Sequence, residues 1–111
     1  MPESHERMAL TEAVFYILLT LKKPLHGYGI MQKVSEMSGD SVQLGSGTLY
    51  GAINTLLNKG WIKIHRQEGT SRKKKEYIIT DEGLHIAHQE LRRLQHLTTL
   101  GEDILGGKDN D

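Results

Sequence analysis

Apolar positions recur at helical spacing along most of the chain and switch once to strict alternation. Leu10, Val14, Ile17, Leu18 and Leu21 share one face of residues 10–21, which predicts a helix. Thr11 is placed to cap it, and Glu12 suits its first turn. Lys22-Lys23-Pro24 ends it, because the residue before a proline disfavours the helical region. Phe15 and Leu19 widen the apolar surface and predict a central position for this helix. A short second helix is expected over 27–37, where Tyr28, Met31, Val34 and Met37 recur every third residue. Ser38-Gly39-Asp40-Ser41 turns the chain after it. The third helix is expected over 46–59, with Ser46 as N-cap, Leu49, Ile53, Leu56 and Leu57 inside, and Gly60 as the stop. Its other face carries Thr48, Gly51, Asn54, Thr55 and Asn58, which are small, polar and uncharged.

Trp61-Ile62-Lys63-Ile64-His65-Arg66 then alternates with period two, and Lys75-Glu76-Tyr77-Ile78-Ile79 has strand propensity. A polar tip with Gly69 joins them into a hairpin. Thr80 caps a last helix, with Asp81 and Glu82 in its first turn. Leu84, Ala87, Leu91, Leu94 and Thr98 repeat at alternating spacings of three and four, and Gly101 is expected to break the helix. The order is helix, helix, helix, hairpin, long helix. That predicts a mainly α fold with a small β-hairpin: a winged helix-turn-helix over 1–80, a dimerisation helix over 81–105 and a disordered tail over 106–111.

At 111 residues, 37% of them hydrophobic, the chain is one domain with one modest core. It has no cysteine, which excludes disulfides, thiol nucleophiles and thiolate zinc sites. No run is long and apolar enough to span a membrane, the first residues do not resemble a signal peptide, and a cytoplasmic location is expected. The net charge of zero hides an uneven distribution: residues 59–77 hold 7 Lys/Arg against 2 Asp/Glu, a net +5. A neutral chain with one basic block suits a focused phosphate contact better than indiscriminate polyanion binding.

That block is the hairpin. Lys63 and Arg66 lie on its first strand, and Arg72, Lys73, Lys74 and Lys75 lead into its second. Strand alternation puts Lys73 and Lys75 on one side and Arg72 and Lys74 on the other, so the wing can straddle a sugar-phosphate backbone. The third helix is the candidate reader. Its start exposes backbone N–H groups that favour a phosphate. Ser46, Thr48, Asn54 and Asn58 can reach phosphates or base edges. Tyr50 either reaches the duplex backbone through its hydroxyl or packs against Tyr28. Gly51 costs the helix about 1 kcal/mol, which close approach to the duplex or to the second helix would explain.

Other chemistries lack their patterns. No glycine-rich phosphate loop is present. His85 and His88 have a possible ligand spacing but no carboxylate joins them, so no metal or other cofactor is expected. His26 is expected to be packed or hydrogen-bonded beside the second helix. No nucleophile, base and orienting group form an arrangement, so the chain is not read as an enzyme. The seam of Leu84, Ala87, Leu91 and Leu94 needs cover. A second copy supplies it and matches a palindromic operator, whereas the alternative is folding back over the first helix. The competing partner reading is a winged helix that binds RNA or a protein. The residues name no small-molecule effector.

Three stretches resemble the PadR family of bacterial transcriptional regulators: Pro24-Leu25-His26-Gly27-Tyr28-Gly29-Ile30; Gly47-Thr48-Leu49-Tyr50 with Leu56 and Gly60-Trp61-Ile62 following; and Tyr77-Ile78-Ile79-Thr80-Asp81-Glu82-Gly83. The resemblance implies a winged-helix DNA-binding domain, a carboxy-terminal dimerisation helix and, in most members, a repressor, often of a detoxification or efflux gene. It implies Thr48 and Tyr50 at the operator and the Arg72 to Lys75 wing on phosphates. Gly51 departs from the proline that commonly follows the tyrosine of the third helix. The short carboxy-terminal part resembles the small, single-helix subfamily. Some small members bind flat aromatic drugs between paired tryptophans near the dimer interface. Trp61, the sole tryptophan, lies at the wing's first strand, so that property is not carried over.

Overall fold

The residues that start and stop each helix set the layout. In a computed structural model that describes residues 9–70 and 74–106, the order is α1 (Glu12–Thr20), β1 (Leu25–His26), α2 (Gly27–Met37), α3 (Ser46–Lys59), β2 (Ile62–Gln67), β3 (Lys75–Ile79) and α4 (Asp81–Leu105). The Thr11 hydroxyl accepts from the Val14 N–H at 3.1 Å and opens α1 as expected. Gly60 closes α3 in the left-handed region at φ 78°, and the Trp61 N–H reaches back to the Leu56 carbonyl at 3.1 Å. The N-cap of α3 is Gly45, not Ser46. Ser46 is the first helical residue, and no side chain caps this start.

The core lies between α1, α2, α3 and the sheet. Ile17, Leu18, Leu21, Ile30, Val34, Leu49, Ile53, Leu56, Ile62 and Tyr77 are all at most 2% exposed. Two expectations about helix faces fail. α2 buries Gly27, Ile30 and Val34, whereas Tyr28 and Met37 face outward. On α1, Leu19 is exposed and Phe15 only half-buried, so their side of the helix is an outer apolar surface.

The sheet is antiparallel, in the order β1-β3-β2. Leu25 pairs with Tyr77 and His26 with Glu76, which ties the start of α2 to the wing. In β2, Ile64 faces Tyr77 but Arg66 faces Glu76, so one extra residue is inserted at His65. The insertion has a consequence that strict alternation cannot give. Lys63 pairs with Ile78 and Arg66 with Glu76, so both basic residues stand on the outer face of the sheet.

α4 leaves the sheet through a tight joint. The Thr80 hydroxyl donates to the Gly60 carbonyl at 2.6 Å and accepts from the Gly83 N–H at 3.0 Å, while the Thr80 N–H donates to the Trp61 carbonyl at 3.0 Å. A Cβ at Gly83 would collide with the Trp61 carbonyl, so only glycine fits there. Gly101 does not break the helix. All 25 residues are helical, and the stop is Gly106 at φ 60°. From Gln95 onward every residue up to Leu105 is exposed except the half-buried Gly101.

Candidate nucleic-acid interface

α3 has two unlike faces. Leu49, Ile53 and Leu56 are buried, and Leu57 is half-buried against the core. Ser46, Thr48, Gly51, Asn54, Thr55 and Asn58 are exposed. Gly47, Gly51, Asn54 and Asn58 are spaced by four, three and four residues, so they form one stripe along the helix. Apart from the helix's own adjacent backbone, no described atom lies within 4 Å of where a Cβ on Gly47 or Gly51 would sit, so neither glycine is needed for packing against the rest of the chain.

Tyr50 is half-buried, and its ring end lies against Gly27 at the start of α2, where a Cβ would clash. The glycine is therefore what lets Tyr50 fix the angle between α2 and α3. His26, Tyr28, Met31, Ser46 and Tyr50 line a cleft of about 320 Å³ between the two helix starts. Neither start is capped by a side chain, so the first N–H groups of both helices are available to water or an anion. His26 is exposed, not packed, and its Nδ1 is 3.9 Å from Glu76.

α3 runs directly into the hairpin. Lys59 lies over the Trp61 ring at 5.1 Å, a contact that covers the corner. Lys63, Arg66 and Lys74 are exposed and Lys75 is half-buried. Arg66 meets Glu68 at 3.4 Å, but both side chains are over 60% exposed, so this pair holds Arg66 weakly. Near the tip, the Glu68 N–H donates to the Lys74 carbonyl at 3.1 Å, and the Gln67 side-chain amide donates to the Gly69 carbonyl at 2.8 Å. Arg72 and Lys73 lie outside the described residues.

The seam on α4 divides. Leu84 is half-buried against the core and Ala87 is 8% exposed, so its own domain covers most of the first part. Leu91, Leu97, Leu100, Ile104 and Leu105 are exposed, and Leu94 is half-buried. Between α1 and α4 runs an apolar cavity of about 370 Å³, with Phe15 and Leu19 on one wall and Leu84, Ala87 and Leu91 on the other. Sequence reasoning missed Glu90, which is 5% exposed. It accepts from Arg93 Nε at 2.9 Å and Nη2 at 2.5 Å, and from the Leu10 N–H at 3.4 Å. The Arg93 hydrogen bonds hold its carboxyl below the ordinary value, outweighing the opposing effect of burial. The spacing of three between Glu90 and Arg93 was the available signal.

A winged helix-turn-helix with a protruding last helix is now in view, and the profile of the PadR-like family of transcriptional regulators matches residues 15–93. The chain belongs to this family. The PadR-like fold recurs in solved structures. A PadR-family transcriptional regulator from Eggerthella lenta shares 21% identity at a TM-score of 0.69, over 93% of this chain and 83% of that one. A transcriptional regulator from Thermoplasma acidophilum shares 26% at 0.66, over 87% and 91%. Bacillus subtilis PadR, solved in complex with operator DNA, shares 29% at 0.62, over 73% of this chain but 47% of that longer one. Among curated proteins none matches. Among the described residues this PadR-like regulator has four helices and a three-stranded antiparallel sheet, and no helix there is long and apolar enough to cross a membrane.

Proposed function

We propose that this PadR-like regulator binds a palindromic double-stranded DNA operator as a homodimer and acts there as a repressor in the cytoplasm. Residues 1–80 form the DNA-binding unit and 81–105 the dimerisation helix. The observation that carries the reading is the uncharged, exposed stripe of Gly47, Gly51, Asn54 and Asn58 on α3, which leads straight into a hairpin bearing Lys63, Arg66, Lys74 and Lys75. A small neutral face can enter a major groove closely, and amide side chains can pair with adenine edges there. The hairpin holds phosphates, together with Arg72 and Lys73 of the tip. Ser46 and Thr48 stand at the uncapped start of α3, where a phosphate is favoured. Tyr50 sets the pose of α3 through Gly27 and lines the cleft between the two helix starts. The operator complex of the Bacillus subtilis relative supports the same assignment.

The test is selection of bound duplexes from a random pool with the purified protein, followed by titration at several salt concentrations. The expected result is an inverted-repeat sequence and a steep fall of affinity with salt. Recovery of no common sequence, or equal affinity for single-stranded RNA, overturns the reading.

A further inference from the structure

The outer face of the sheet carries a charge row that a phosphate-binding wing does not call for. Residues paired across an antiparallel sheet share a face, so His26 in β1, Glu76 in β3 and Arg66 in β2 stand side by side. Glu76 is thus a carboxylate in the middle of a surface otherwise suited to phosphates. Arg66 does not neutralise it, because its guanidinium turns toward the tip and meets Glu68 at 3.4 Å. Glu76 is left to His26, whose Nδ1 lies 3.9 Å from Glu76 Oε2, at ion-pair rather than hydrogen-bond distance. The carboxylate is the sheltered member of the two: its side chain is 25% exposed and that of His26 50%.

That arrangement gives the imidazole a fixed sense. With Nδ1 toward Glu76, the neutral ring keeps its proton on that side, and Nε2 is an acceptor. An acceptor cannot hold a phosphate oxygen. The charged ring donates from both nitrogens, so Nδ1–H faces the carboxylate while Nε2–H is offered to an anion. His26 lines the cleft between the helix starts, together with Tyr28, Met31, Ser46 and Tyr50. Around the ring, β3 contributes Glu76, α2 Tyr28 and α3 Tyr50, and neither helix has an acidic residue in its first turn. Glu76 is the carboxylate that meets this ring, and a duplex phosphate in the cleft would be a second anion beside it, further favouring the charged form.

We propose that His26 is a further phosphate contact of the DNA interface, positioned by Glu76, and that the contact forms only with the charged ring, so that duplex binding takes up a proton from solvent. The inference rests on the DNA-binding reading above, and the experiment separates the two. The probe is a mixed-sequence duplex of about 30 base pairs at fixed low salt, since a phosphate contact carries no sequence information. Affinity of the unaltered chain should rise about tenfold from about pH 8 to about pH 6, the range in which histidine gains its charge. His26→Gln should flatten that rise, whereas His65→Gln, at the exposed insertion in β2, should keep it. His26→Lys carries a fixed charge, and should bind at about pH 8 as tightly as the unaltered chain does at about pH 6. A loss of folding cannot imitate that gain. Glu76→Gln should displace the rise to lower pH, because the charged ring loses its carboxylate. A carboxylate that merely braced the sheet would, on removal, lower affinity equally at every pH. No duplex binding at any pH overturns the DNA-binding reading and this one with it. Binding that is level across the range, a rise that survives in His26→Gln, or no gain in His26→Lys overturns the contact and leaves DNA binding standing. A profile that is not displaced in Glu76→Gln overturns the positioning by Glu76.

Discussion

α3 and α4 each leave one face without cover inside the chain, and the two faces have opposite chemistry. The outer face of α3 is glycine, threonine and asparagine, and water satisfies it at no cost. The outer face of α4 beyond Leu94 is Leu97, Leu100, Ile104 and Leu105, which water does not satisfy. The first face can wait for a transient partner. The second calls for a permanent one. Under the proposed function, polarity alone separates the face for reading from the face for assembly.

The strongest way to break this contrast is to make the α4 face resemble the α3 face. Leu91→Asp puts a carboxylate where a partner helix must bury it, which costs the dimer about 3 kcal/mol or more. Sedimentation should show a monomer of native helix content, since Leu91 is 43% exposed in the single chain. A dimer of unchanged stability would place the interface elsewhere.

The reverse experiment acts on α3. Asn54→Ala should weaken operator binding by about 1–3 kcal/mol and binding to scrambled duplex hardly at all. Folding should hold, because the Asn54 side chain is exposed on α3 and alanine is the better helix former. Titration against both duplexes at one salt concentration decides this. Equal losses on both would reassign Asn54 to the backbone and leave reading to Thr48 and Asn58.

Lys63→Ala with Lys74→Ala sharpens the contrast from the side of the hairpin. Losses should be similar on operator and scrambled DNA. The slope of log affinity against log salt should flatten by up to about two units, roughly 0.9 for each phosphate contact. A slope that does not move would make these lysines solvent groups only.

The smallest effect concerns the near half of α4, where Glu90 belongs to its own domain. Its folded carboxyl titrates below the ordinary value of 4.5. Its stabilising contribution is therefore complete above that value and disappears as pH falls through the lower, folded one. Melting temperatures measured from about pH 6 to about pH 3 should fall less steeply in Glu90→Gln than in the unaltered chain. Parallel curves would mean that other carboxylates govern acid unfolding.

The fold was legible because it is written in periodicities. Four helices, the hairpin, the Thr11 and Thr80 caps and the Gly60 stop all follow from local chemistry. What escaped depends on distant neighbours. Two residues of β1 are too few to show alternation, and they become a strand only because β3 lies beside them. The extra residue at His65 breaks the strict alternation read for the first wing strand, and puts Lys63 and Arg66 on one face. Gly101 looked like a stop because glycine is a poor helix former, yet no left-handed turn follows until Gly106. Tyr28, Met31, Val34 and Met37 had helical spacing, but Ile30 paired with Val34 had it too, and packing kept Val34 and chose Ile30 over Tyr28 and Met37. Of the candidate site, the polar face of α3 and the charge of the wing were readable. The Gly27–Tyr50 contact was not, because its partners are 23 positions apart.

The joint at Thr80 and Gly83 has a mechanical meaning. It fastens α4 to the corner where α3 becomes the wing, so α4 is a lever whose fulcrum is the Trp61 carbonyl. Its 25 residues make an arm of roughly 37 Å, and a tilt of about 10° at the fulcrum swings the far end by about 6 Å. Neighbouring base pairs are about 3.4 Å apart, so in the proposed dimer that tilt shifts one α3 relative to the other by about two base pairs. In the proposed dimer, the spacing between half-sites is set at this corner. Gly83→Ala, which lifts α4 off that carbonyl, should retune the preferred spacing between half-sites while leaving the bases read within each half-site unchanged.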